Sequence, residues 1–174
     1  YGEEIGMRNV PVTEDRLQDP LARTLHPSLS RDPERTPMCW DPTPNAGFTS
    51  AATPWLPIGP QPPRTDVATQ REDPTSLLWL YKNLLALRRN HASLHRGSYR
   101  SLDAPAGILA YERCSTSETA RIALNPSYRP RDVSRASGRI TTQLHTNASA
   151  ARTTSADIRL GPCEGVVLLF DQQP

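Results

Sequence analysis

Twelve of the 18 prolines lie between Val10 and Asp73, and that distribution limits the fold more than any other feature. Each proline fixes φ near −65° and removes a backbone donor, so a long regular helix or a central strand is ruled out there. From Met7 to Asp73 the chain reads as aperiodic loop. A loop that long inside a compact domain is uncommon and is usually functional. Its densest part is Arg31-Asp32-Pro33-Glu34-Arg35-Thr36-Pro37-Met38-Cys39-Trp40-Asp41. Two arginines, three acids, a Trp and two prolines share these eleven residues without helical or strand period. Rigid, charged, aromatic loops carry binding groups on a scaffold, or they are surface turns held by local ion pairs.

The flanks are regular. Leu77, Leu80, Tyr81, Leu84 and Leu87 recur at helical spacing, with Leu78 and Leu85 widening the apolar face. Asp73-Pro74 supplies a capping carboxylate and a first-turn proline, so the helix is expected over residues 74–90. Arg88, Arg89 and His91 sit where cations favour the helix dipole. Tyr1 to Gly6 reads as the tail of a strand ending in a tight turn, with Gly6 giving the turn its freedom. From Ser98 onward short strands are expected at Tyr99–Leu102, Ile108–Arg113, Arg121–Leu124, Arg139–His145, Ala156–Leu160 and Gly165–Phe170. Their spacing is that of a sandwich, and the continuous apolar run Val166–Phe170 marks a central strand.

A net charge of +2 gives no case for nucleic acid or an anionic membrane as partner. No apolar run approaches the roughly 20 residues of a membrane span. Cys39, Cys114 and Cys163 form neither a disulfide framework nor a zinc motif. Reduced thiols fit a cytoplasmic setting. His91 and His95 have zinc-compatible spacing without a third ligand, and no metal or cofactor is expected. Asn147-Ala148-Ser149 matches a glycosylation acceptor and is read as chance.

Several motifs in one order carry a resemblance. Gly2-Glu3-Glu4-Ile5-Gly6-Met7, then Arg31-Asp32 through Thr36-Pro37-Met38 and Trp40-Asp41, then Asn45-Ala46-Gly47-Phe48-Thr49, Pro54-Trp55-Leu56-Pro57 and Asp73-Pro74-Thr75-Ser76-Leu77-Leu78 resemble the α-glucosidases of glycoside hydrolase family 13. The match is close over the first hundred residues and loose beyond. It departs at Cys39, where the family has Gln, and at Pro126, where it has Phe.

The resemblance implies α/β plus all-β architecture: the last strand and helix of a TIM (β/α)8 barrel, then a C-terminal antiparallel β-sandwich. Residues 1–97 would be the barrel end, with a substrate loop at 8–73, and 98–174 the sandwich. It further implies a retaining α-glucosidase acting on short oligosaccharides, whose partners are an α-glucoside and the rest of the barrel. Such an enzyme uses two carboxyl groups about 5–5.5 Å apart. Both would precede Tyr1, so no catalytic residue is assigned and this chain alone is expected to be inactive. Glu3 and Glu4 cannot be that pair if they alternate on a strand. Arg31 is implied to bind the non-reducing sugar with an upstream Asp, and Glu4 to touch the next sugar. Arg35 and Asp41 would brace the loop, and Trp40 and Trp55 would pack it down. The alternatives are a fragment of a trehalose synthase or sucrose isomerase-type transglycosylase, or a non-catalytic β-sandwich module that binds carbohydrate or is structural.

Overall fold

The computed structural model describes residues 2–134, 138–147 and 157–171. The chain divides into two compact units, Tyr1–Asn83 and Leu84–Pro174.

The first unit is loop held by short helical turns, and proline starts most of them. Helix α1 (Pro20–Thr24) and the 3-10 turns Pro27–Leu29, Asp32–Arg35 and Pro44–Gly47 each place Pro in the first two positions, where its missing N–H costs nothing. The Arg31–Asp41 segment, expected to lack regular structure, therefore contains one such turn. The strand expected to end at Gly6 does not form in the described residues. Glu3–Ile5 is a 3-10 turn, set by Gly2 at φ 85° and Gly6 at φ 74°, and Met7 N donates to Gly2 O across it. Tyr1 lies outside the described residues. Described residues before Ser98 hold no strand.

The apolar cluster of this unit is Ile5, Met38, Cys39, Val67 and Leu78. Helix α2 (Val67–Arg71) docks by backbone bonds, Val67 N to Cys39 O and Ala68 N to Trp40 O. Gln70 is the buried polar hub. Its Nε2 donates to Ile5 O (2.8 Å) and Arg64 O (3.0 Å), and its Oε1 accepts from Leu78 N (3.0 Å).

Helix α3 runs Leu77–Asn90, three residues shorter at its start than expected. Asp73 caps a separate turn, accepting from Thr75 N, and Ser76 takes over as the helix cap by accepting from Trp79 N. Leu78 buries in the first unit and Leu87 in the second, while Leu85 is 64% exposed. Helix α4 (Ala92–Arg96) follows.

The second unit carries two antiparallel sheets. Strands β1 (Ser98–Ser101), β2 (Leu109–Cys114), β3 (Glu118–Asn125), β4 (Arg131–Ser134), β5 (Ile140–His145), β6 (Asp157–Leu160) and β7 (Glu164–Asp171) divide into a five-stranded sheet, order β1-β2-β3-β7-β5, and a pair, β4-β6. Six match expected strands; the expected start at Ala156 lies outside the described residues. The seventh, β4, was not anticipated. As the apolar run requires, β7 is interior and buried on both faces. Leu168 and Phe170 join Val133, Ile158 and Leu160 between the sheets. Leu169 packs with Leu87, Ala120 and Ile122 on the other side. The Asn125-Pro126 departure is absorbed locally: Asn125 is buried, and its amide donates to Arg129 O and Gly161 O.

Candidate functional site

The proline-spaced turns bring Asp19 against Arg31, and Asp32 against the backbone of Gln18 and Asp19. Asp19 caps α1, its Oδ1 accepting from Leu21 N at 3.0 Å. The same carboxylate grips Arg31 three ways. Oδ2 accepts from Arg31 N (3.0 Å) and Nε (2.6 Å), and Oδ1 accepts from Nη2 (2.9 Å). Asp32 returns the contact, its Oδ2 accepting from Gln18 N (2.7 Å) and Asp19 N (2.9 Å). Its Oδ1 has no hydrogen-bond partner among the described residues. Arg35 Nη1 stands 4.0 Å from Asp19.

Burial is lopsided. The Asp19 side chain has no exposed surface, while that of Arg31 is 53% exposed. The guanidinium hydrogen bond holds the Asp19 carboxyl far below the usual carboxylate range, against the opposing effect of burial. Asp19 in turn pushes Arg31 further up, and the Asp32 charge adds to this. The ion pair is therefore permanent near neutral pH. A guanidinium has five N–H groups in a fixed fork. Among the described residues Asp19 occupies two of them, and three are left on the exposed side chain.

Glu4 is half-buried in the 3-10 turn beside exposed Glu3. No hydrogen bond or ion pair joins it to Arg31 or Asp19 among the described residues. On this turn Glu3 and Glu4 do not point to opposite faces, as they would on a strand; successive side chains differ by about a third of a rotation. Burial, and next the Glu3 carboxylate, push the Tyr81 hydroxyl up.

The Asn45-Ala46-Gly47 motif is a left-handed turn, with φ of 56°, 55° and 64°. A Cβ on Gly47 would lie 2.5 Å from the Asp41 carboxylate, so only glycine fits. Asp41 braces this turn as expected, accepting from Thr43 N and its hydroxyl, and those bonds lower its carboxyl pKa. Trp40 and Trp55 are not packed down. They are 47% and 67% exposed; at Trp40 the backbone, rather than the ring, makes the docking bonds.

The described residues hold no group of three or more His, Cys, Asp and Glu suited to a metal. His91 Nδ1 pairs with Glu118 Oε2 at 2.8 Å, which ties it to β3. Cys39 is buried, and burial raises its thiol pKa. Ser149 of the acceptor triplet lies outside the described residues. Sequence reasoning missed Asp19. The signal was present as Asp19-Pro20, the capping pattern also seen at Asp73-Pro74.

Residues 1–97 match the family described as "Alpha amylase, catalytic domain". Among curated relatives, the chain is 36% identical over 143 residues to an oligo-1,6-glucosidase of Halalkalibacterium halodurans, covering 71% of this chain and 25% of that protein. Maltase 1 of Drosophila virilis is 30% identical over 183 residues, covering 97% and 29%. Two solved structures each cover 97% of this chain. The alpha-glucosyl transfer enzyme XgtA aligns with a TM-score of 0.80 at 30% identity, over 32% of its own length. The trehalulose synthase MutB of Pseudomonas mesoacidophila aligns at 0.77 and 29%, over 34% of its length. The chain thus spans about a quarter to a third of the proteins it resembles.

Proposed function

The chain belongs to the alpha-amylase family, glycoside hydrolase family 13, and from that premise we propose that it forms the C-terminal part of a retaining α-glucosidase hydrolysing short α-linked oligosaccharides. The carrying observation is Arg31, exposed yet locked at two points by a buried carboxylate, with three donors left over. Sugar hydroxyls vicinal on a ring suit such a planar fork. In this reading Arg31 binds the non-reducing glucose, Glu4 reaches a neighbouring sugar, and the two reacting carboxyl groups come from upstream polypeptide. The upstream barrel covers exposed Leu85, the sheets from Ser98 onward form a non-catalytic β-sandwich, and the protein works in the cytoplasm. Residues 1–174 alone hydrolyse nothing, since no pair of carboxyl groups here is assigned to the reaction.

Arg31→Ala in the complete enzyme tests the reading. It lowers kcat/KM on maltose and isomaltose by about 100-fold, the loss of charge-assisted bonds to substrate. Unchanged kinetics would overturn the binding role.

A second reading keeps the site and changes the outcome: the parent transfers or isomerises glucosyl units. The alignments with a glucosyl transfer enzyme and a trehalulose synthase favour it. Chromatography of the products from maltose and from sucrose separates the two. Glucose alone from maltose marks hydrolysis, and an isomeric disaccharide marks transfer.

A further inference from the structure

The geometry points to Asp19 as a positioning residue for substrate recognition, acting only through Arg31; this rests on the sugar-binding reading of Arg31. Asp19 is an aspartate with no exposed surface that spends its hydrogen-bonding capacity on one other side chain and two backbone amides. If loop closure were its whole role, the backbone bonds to Arg31 N and Leu21 N would suffice. The extra pair, Nε at 2.6 Å and Nη2 at 2.9 Å, fixes the plane of the guanidinium. A half-exposed arginine on a loop otherwise samples many rotamers, and binding would have to suppress them. Here that ordering is done in the folded state.

The lock is reciprocal. Asp32, next to Arg31 in the chain, holds the amides of Gln18 and Asp19. Asp19 holds the amide and fork of Arg31. Each segment therefore fixes the other, and neither carboxylate can shift without releasing its partner. Asp32 is 1% exposed, so this frame is shielded from water while the fork it aims remains accessible.

The test is a double-mutant cycle in the complete enzyme, with maltose and p-nitrophenyl α-glucoside as substrates. Asp19→Asn keeps an acceptor for only one of the two backbone amides and sets an amide donor against the other and against one side of the guanidinium fork. It raises KM by about 10- to 100-fold, as loss of a hydrogen bond to a charged group does, with a smaller change in kcat. In an Arg31→Ala background the same change has no further effect on kcat/KM. If Arg31→Ala alone leaves kcat/KM unchanged, the sugar-binding reading fails. If Arg31→Ala lowers it but Asp19→Asn is silent, or costs as much again on top of Arg31→Ala, the positioning role fails and the sugar-binding reading stands. Thermal melts accompany each variant. Should Asp19→Asn not fold, Asp19→Glu, which keeps the charge and displaces the fork, replaces it in the same cycle.

Discussion

Arg31 lies across the buried carboxylate of Asp19 as a two-point fork, Nε on one oxygen at 2.6 Å and Nη2 on the other at 2.9 Å. A lysine at 31 would keep the charge and lose the plane. Arg31→Lys in the complete enzyme is expected to raise KM about tenfold, with a modest fall in melting temperature, because lysine still supplies a charged donor to the buried Asp19 but not both bonds. Initial-rate kinetics and a thermal melt check this. An unaltered KM would show that a point charge is enough.

Gln70 joins three segments through Ile5 O, Arg64 O and Leu78 N. Gln70→Leu keeps the volume but leaves two carbonyls and an amide without their partner. The expected cost is about 2–4 kcal/mol, read as a lower denaturant midpoint. The effect extends to Glu4, whose turn is tied down at Ile5. Wild-type stability in this variant would mean that water replaces the amide without loss.

Leu168 and Leu169 are neighbours with opposite surroundings, one between the sheets and the other against Leu87. Each is at most 1% exposed. Alanine at either position is expected to cost about 2–5 kcal/mol by chemical denaturation, so both faces of β7 matter. A cost under 1 kcal/mol at one of them would mark that face as able to collapse into the space.

Acid sensitivity follows from two carboxylates. Asp19 sits well below its ordinary 3.8 because of Arg31. Burial pushes Glu112 up from 4.5, but Arg121 and Arg100 outweigh it and the net direction is down. A carboxyl lowered on folding stabilises the native state above its unfolded pKa, and that contribution is lost as pH falls through the folded one. Stability should therefore drop as pH falls from about 4.5, and Glu112→Gln should flatten the upper part of that slope. Melts between pH 7 and pH 3 measure it; an unchanged slope in Glu112→Gln would reject the assignment. At pH 7 the exposed Arg100 needs little compensation. Arg121, 22% exposed, sets the cost of removing its partner at about 2–3 kcal/mol.

Legibility in the sequence followed the range of the interactions. Helix α3 and the central place of β7 come from periodicity and an unbroken apolar run, both local signals. The turn at Glu3–Ile5 depends on Gly2 adopting φ 85°, which a glycine permits but does not announce. Strand β4, Arg131–Ser134, is short and polar and exists because β6 pairs with it from 23 residues further on, Ser134 opposite Asp157. Arg31 was visible as a motif. Its partner was not, since Asp19 lies twelve residues away and its Asp-Pro pattern speaks only of a helix start. The exposure of Trp40 and Trp55 is not legible in the sequence, because an aromatic side chain in a proline-rich loop gives no indication of which side the backbone bonds occupy.

The order of strands has a consequence for synthesis. β3 and β5 flank β7 in the sheet yet precede it in the chain. As the polypeptide leaves the ribosome, both must wait with open edges until β7 follows, a period in which they can pair with strangers. Nascent chains stalled before Glu164 should thus recruit chaperones, and those carrying β7 clear of the exit tunnel should not.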